Sequence, residues 1–272
     1  VRLFLPLLAA ALMSGCTTAS AEACFRPDAE LPDPKASSSP EIAGALTRGE
    51  VDRVKALLGA DPALARRGDL LAFAVAGCSA PAIMALLDAG APADGTGDGL
   101  PLVLALRGKD DTMARLLLKR GASPNPRGAP TLPLRTVIGL NDPDRLGLLI
   151  RAGADLEAKE RTGRRALHIA LDQERFGLAA RLLDAGADPF AIDASGANLG
   201  SAAMAPMARN DPQEAAAQRV LRDRLRPLRW PEPVPDERAV AQRAIEGAWP
   251  PAGTTGKPVP ADVLALIRER RR

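Results

Sequence analysis

Four glycines, Gly90, Gly121, Gly153 and Gly186, recur along the chain at intervals of 31, 32 and 33 residues, and each brings the same neighbours with it. An aliphatic pair precedes each one, Leu86-Leu87, Leu117-Leu118, Leu149-Ile150 and Leu182-Leu183, and a small residue follows, Ala91, Ala122, Ala154 and Ala187. A leucine stands nineteen residues ahead of every glycine, at Leu71, Leu102, Leu134 and Leu167. Columns held at a near-constant period describe one supersecondary unit repeated, whose apolar face only the next unit can cover. Within the last full unit, Leu167, Ala170 and Leu171 share one helical face, and Leu178, Leu182 and Leu183 share a second. Two helices of about nine residues are marginal alone, so the stack is the folding unit. Each glycine suits the left-handed backbone just beyond a helix end.

The stretch Gly163 to Asp188, GRRALHIALDQERFGLAARLLDAGAD, shows the unit most completely. Its start, Gly163-Arg164-Arg165-Ala166-Leu167-His168-Ile169-Ala170, resembles the G-x-T-P-L-H-x-A opening of an ankyrin repeat, with Arg165 where threonine is usual. Leu182-Leu183-x-x-Gly186-Ala187-Asp188 is similar to the close of that repeat. The other units depart from the pattern: Thr131-Leu132-Pro133-Leu134 replaces T-P-L-H, and Arg135, Val103 and Ala72 stand in the histidine column. The resemblance implies an all-α ankyrin-repeat solenoid of paired antiparallel helices with short turn tips, over 40–225. It comprises four central repeats between atypical ends. The amino-terminal unit runs from Pro40 to Leu58, and the carboxyl-terminal one has a degenerate first helix and a charged second, Pro212 to Leu225. The resemblance further implies an inter-repeat hydrogen-bonding role for His168. It also implies protein binding through the turn tips and the concave face made by the first helices. The residues so assigned are Glu160, Arg161, Thr162 and Arg164 at a tip, Asp172 and Gln173 at the following helix end, and Arg107, Gly139 and Leu140 at earlier helix ends.

Ahead of the repeats, Arg2 precedes an eleven-residue apolar run, Leu3 to Met13, too short for a stop-transfer span and suited to a secretory signal over 1–15. Leu12-Met13-Ser14-Gly15-Cys16 resembles a bacterial lipobox, which implies cleavage before Cys16 and acylation of that cysteine. Thr17 follows, without the aspartate of inner-membrane retention, so the resemblance implies the periplasmic face of an outer membrane; ordinary cleavage would leave a soluble periplasmic protein. Residues 16–39, poor in apolar groups and rich in Pro, Ser and Ala, read as a flexible tether. With Cys16 lipidated, Cys24 and Cys78 remain in an oxidising compartment, either bridged or as a free thiol and a small buried residue.

Beyond Leu225, a Pro-rich arm over 226–272 carries two short helices, from Asp236 to Ala248 and from Ala261 to Arg271. Trp230 and Trp249 sit beside prolines, where they pack the arm on the last repeat or, alternatively, bind a peptide. The net charge is +3, with Arg222, Arg224, Arg226, Arg229, Arg268, Arg270, Arg271 and Arg272 crowded near the carboxyl end. That cluster reads as solvated helix ends or as a surface for a membrane or an acidic partner. Catalytic signatures are scarce. His168 is the sole histidine, C-x-x-C and Gly-rich phosphate motifs are missing, and the carboxylates are scattered along solvated faces, as at Asp110, Asp111, Asp142 and Asp144. With no tyrosine, the stacking platforms of a single-strand nucleic-acid binder are lacking too. The expectation is a non-catalytic, monomeric protein-binding module without cofactor, small-molecule substrate or nucleic acid, acting as scaffold or immunity protein on an unidentified partner. The competing class is an envelope enzyme, or an accessory subunit of one, with chemistry in the arm.

Overall fold

The computed structural model describes residues 24–25, 30–97, 99–126 and 132–271; the apolar leader, Cys16, most of the tether's start, residues 127–131 and Arg272 lie outside them. Six helix pairs follow one another: α1 (Pro40–Thr47) with α2 (Val51–Ala60), α3 (Leu70–Ala76) with α4 (Ala80–Asp88), and α5 (Leu100–Leu106) with α6 (Thr112–Lys119). Next come α7 (Pro133–Gly139) with α8 (Pro143–Arg151), α9 (Ala166–Asp172) with α10 (Phe176–Asp184), and α11 (Leu199–Met204) with α12 (Pro212–Leu225). Each first helix packs on the first helix of the next pair, from α1 through to α11, and on its own second helix, so the elements form a single row.

The repeated columns explain this regularity. Gly90, Gly121, Gly153 and Gly186 all have φ between +84° and +97°, a region other residues enter only with strain. There the chain folds back so that Ala91, Ala122, Ala154 and Ala187 donate their N–H groups to the carbonyls of Leu86, Leu117, Leu149 and Leu182, at 2.9–3.0 Å. The orphan carbonyls of the helix end are thereby satisfied. The leucine of that closing bond is also a core residue: Leu86, Leu117, Leu149 and Leu182 are wholly buried, and so are Leu71 and Leu102 in the other column. One side chain thus sits at the junction of helix termination and repeat packing. Helix starts are set by Pro in the first turn and by capping oxygens, for example Ser79 accepting from Ala82 N at 3.2 Å and Asp211 from Gln213 N at 3.0 Å.

The arm adds α13 (Glu237–Ile245) and α14 (Ala261–Arg270). Trp230 stacks on Phe190 with ring centroids 4.7 Å apart, and Trp249 meets both edge-on while donating its Nε1–H to the Phe190 carbonyl at 2.9 Å. Gly200 makes the stack possible, because a Cβ there would run into the indole of Trp230. The two tryptophans therefore pack the arm onto the last repeats. The described part of the expected tether is also docked. Cys24 is disulfide-bonded to Cys78, Lys109 N donates to the Cys24 carbonyl at 2.7 Å, and Phe25 is buried in an antiparallel bridge with Gly108. A large aromatic side chain in an otherwise apolar-poor stretch is the physical reason: it gains more by burial than the segment loses by ordering. Among the described residues, no helix is long and apolar enough to cross a membrane.

Candidate functional site

The loops between helix pairs project as tips, and the tip before α9 is the best defined. Glu160 N donates to the Arg164 carbonyl at 2.8 Å and Gly163 N to the Glu160 carbonyl at 2.9 Å, closing a tight turn with Gly163 at φ +78°. Glu160 also accepts from Arg135 of α7 at 2.6 Å. Arg164 pairs with Asp172 at the end of α9, tying tip to helix end. The Thr162 carbonyl receives Ala194 N of the next tip at 3.1 Å, and Arg161 is exposed.

Successive loops are joined by a polar ladder. Asp94 accepts from Ser123 N at 2.6 Å, Asn125 from Asp155 N at 2.7 Å, and Glu157 from Asp188 N at 2.8 Å. Each acceptor lies four residues past a repeat glycine, and each donor two residues past the next one. The column is hidden in the sequence because three chemically different side chains fill it; their shared ability to accept is the only signal. At the fourth position the column holds Phe190, where the ladder gives way to the aromatic stack of the arm.

No family model and no curated protein matches the sequence. Solved structures do match. The ankyrin repeat domain of Bcl-3, a member of the IkappaB protein family, is similar with a TM-score of 0.53 and 24% identity, over 60% of this chain and 79% of that one. The human ASB11 ankyrin repeat domain is similar with a TM-score of 0.53 and 16% identity, over 84% of this chain and 96% of that one. The chain has the ankyrin-repeat fold.

Within this ankyrin solenoid, both ring nitrogens of His168 are occupied. Nδ1 accepts from Arg165 N at 3.1 Å, and Nε2 faces the Ala191 carbonyl of the following tip at 3.2 Å, which fixes the neutral tautomer with its proton on Nε2. Burial pushes the imidazole down to about 4, with Asp193 opposing and Arg165 assisting. The histidine is an inter-repeat strut. Arg165, in the column where an ankyrin repeat has threonine, is buried with its Nε 3.0 Å from Glu157 Oε2, so the departure is accommodated by an ion pair across the ladder.

The nine residues assigned to partner contact do not form one patch. Glu160, Arg161, Thr162 and Arg164 cluster at one tip, joined through Arg164 to Asp172, beside which Gln173 closes α9. Gly139 and Leu140 end α7, and Arg107 ends α5 next to Gly108, where Phe25 docks. Asp142, expected among solvated carboxylates, instead caps α8 and holds the buried Arg145 at 2.8 Å, while Arg145 donates to the Gly108 carbonyl at 2.8 Å. A buried cation this tightly held links two repeats and was not apparent from its exposed-looking sequence context. In the basic cluster, Arg222 donates to the Ala203 carbonyl, Arg224 pairs with Asp184 at 2.7 Å, and Arg271 caps the Arg238 carbonyl at 2.6 Å. Among the described residues, no group of three or more His, Cys, Asp or Glu side chains is placed to share a metal ion.

Proposed function

We propose that this chain is a non-catalytic protein-binding module held at the periplasmic face of a bacterial outer membrane through a lipidated Cys16. In this reading the tips and first-helix ends engage a protein partner, as a scaffold or as an immunity protein. The observation that carries it is a contrast within the repeats. The leucine columns are uniform and buried, whereas the tips differ from unit to unit, and two of them keep exposed residues, Thr96 and Gly97 in one and Arg161 and Thr162 in the other. A uniform scaffold presenting varied polar loops suits recognition of another protein surface. The sole histidine, with both nitrogens committed to backbone partners, supports a structural role for the group best suited to acid–base work.

The test reverses charge at positions that make no ion pair among the described residues. Full-length chain carrying Arg107→Glu, at a half-buried helix end, and Arg161→Glu, at an exposed tip, should stay folded, since an exposed substitution changes stability by about 0.5 kcal/mol or less, and should lose capture of its partner from an envelope extract. Arg181→Glu with Lys119→Glu, on the second helices, is the matched control. Loss of capture in the control alone would place the surface on the other side of the solenoid. The address has its own test: Cys16→Ser should free the protein from the membrane fraction or block its processing, and a variant that still fractionates with the outer membrane at wild-type yield would sink the lipid anchor.

A further inference from the structure

α14 is lightly held. Of its ten residues only Val263 and Ile267 are buried. It is joined to α13 by a connection containing Pro250, Pro251, Gly253, Gly256, Pro258 and Pro260, which extends no helix into it. Its seat is shared between α13, to which Arg271 just past its end donates two side-chain hydrogen bonds, and the tip before α9. A Cβ added to Gly163 would approach Val263 Cγ2 to 3.0 Å, so the branched side chain lies on bare backbone there. Lys159 Nζ reaches Asp262 Oδ1 at 2.7 Å, in an exposed pair. One tip further along, α13 is seated in the same manner: a Cβ on Gly196 would collide with the Glu237 carbonyl and come within 3.0 Å of Ala241. Two consecutive tips thus each receive a helix over a left-handed glycine, Gly163 at φ +78° and Gly196 at φ +88°. At the earlier tip, a Cβ on left-handed Gly95 or Gly99 would meet Gly68, Pro101 or Pro126 of the repeats themselves and not an arm helix, and one on Gly97 would meet nothing within 4 Å.

We infer that the tip formed by Lys159 to Gly163 is a helix-docking site that recognises an acidic residue, a β-branched residue beside it and an aliphatic residue four positions on, and that α14 fills it in competition with a partner helix of the same pattern. In this chain the pattern is Asp262-Val263 with Ile267. The acid meets Lys159, the branched residue fills the space a side chain at position 163 would take, and the aliphatic residue lies one turn further on the same face. Competition follows from linkage. A helix tethered by a short connection is present at its seat at an effective concentration in the millimolar range, so an incoming helix binds weakly until α14 leaves. The competition rests on the reading of the tips as the partner surface.

The probe is a fluorescent peptide of residues 258–271, added to full-length protein. The Val263→Asp chain, whose own α14 is disfavoured at the seat, should bind the peptide saturably and at least tenfold more tightly than the wild type. A peptide carrying Val263→Asp should not bind. Lys159→Glu in the Val263→Asp chain should weaken binding several-fold, and Asp262→Lys in the peptide should restore it. Equal binding by both chains, or no binding by a Val263→Asp chain whose helical circular dichroism matches the wild type, would overturn the docking site. Amide hydrogen exchange on the unmodified chain gives a second reading independent of any variant: residues 261–270 should exchange well before 166–184. Protection of α14 as long-lived as that of α9 and α10 would show a permanent element and end the proposal. The peptide assay contains no native partner, so its failure removes the docking site alone, whereas failure of the charge-reversal capture removes the reading of the tips.

Discussion

The two ends of the solenoid are covered at different places. Toward the amino terminus, the covering segment lies along the short connections between paired helices. Cys24 is bonded to Cys78 between α3 and α4, and Phe25 is seated against Gly108 between α5 and α6. Toward the carboxyl terminus the cover lies on the tips, with α13 over Gly196 and α14 over Gly163, pinned by the stack of Phe190, Trp230 and Trp249. The same repeat is therefore covered at different places in its two halves, at the helix connections holding Cys78 and Gly108 in the first and at the tips holding Gly163 and Gly196 in the second. Covering an end with a locally contributed segment answers the need of every solenoid to shield its terminal faces, and where that segment lies decides what is left for a partner.

The strongest test of this asymmetry is Phe190→Ala. Phe190 is buried between two indoles, and removing a core aromatic typically costs about 3–5 kcal/mol. Because the only tryptophans in the chain are Trp230 and Trp249, their fluorescence should shift to the red in the variant at lower urea than in the wild type. Exchange in α3 to α6 should stay slow. Equal loss of protection in both halves would mean that the arm stabilises the whole row and not one end.

How far this division was legible in the sequence depends on how local its signals are. The leucine and glycine columns are periodic, and they predicted the paired helices and the row. His168 showed its strut role because it stands in a recognisable column. The docking of Val263 on Gly163 was hidden, since it joins residues one hundred positions apart with no periodicity between them. Phe25 was absorbed into a tether because the composition of residues 16–39 outweighed one aromatic. The contact surface was only half readable. Tip residues were identifiable by position, but the partners that Glu160 and Arg164 find in Arg135 and Asp172 come from tertiary structure.

Leu149→Ala probes the middle, between the two covers. It empties a fully buried site that also accepts the Ala154 N–H closing bond, and should cost about 2–5 kcal/mol. Protection should fall in α5 and α6 as well as in α9 and α10, because each repeat covers the next; loss confined to α7 and α8 would make the halves independent.

Acidification should weaken the carboxyl-terminal half in a predictable window. His168 is held neutral in the fold with its pKa at about 4, whereas the unfolded chain takes up that proton near the ordinary value of about 6.5. Between these values the unfolded state binds more protons, so stability falls as pH drops. By pH 5 the loss from this group is on the order of 2 kcal/mol. Comparing urea midpoints at pH 7 and pH 5 for the wild type and His168→Gln isolates it, since the carboxylates are common to both; parallel pH profiles would show that the imidazole charges in the fold.

The smallest effect expected is that of Asn125→Ala, in the ladder between the two halves. It removes the acceptor for Asp155 N and the donor to the Gly153 carbonyl. These bonds are near the surface, and the cost should be about 1 kcal/mol. A loss of several kcal/mol in the urea midpoint would raise the ladder from a fine adjustment to a principal support of the row.

The bond between Cys24 and Cys78 sets a reach. Measured along the sequence, Cys16 stands 24 residues before Pro40 and only 8 before Cys24. A fully extended chain spans at most about 3.5 Å per residue, so a leash from Cys16 to the first helix could extend roughly 84 Å, but one that ends at Cys24 extends only about 28 Å. For a protein fastened at Cys16, docking of Cys24 and Phe25 on the repeats keeps them within that shorter reach of the anchor point. Opening the bond would lengthen the radius the domain can sweep about threefold only once Phe25 also leaves its seat against Gly108.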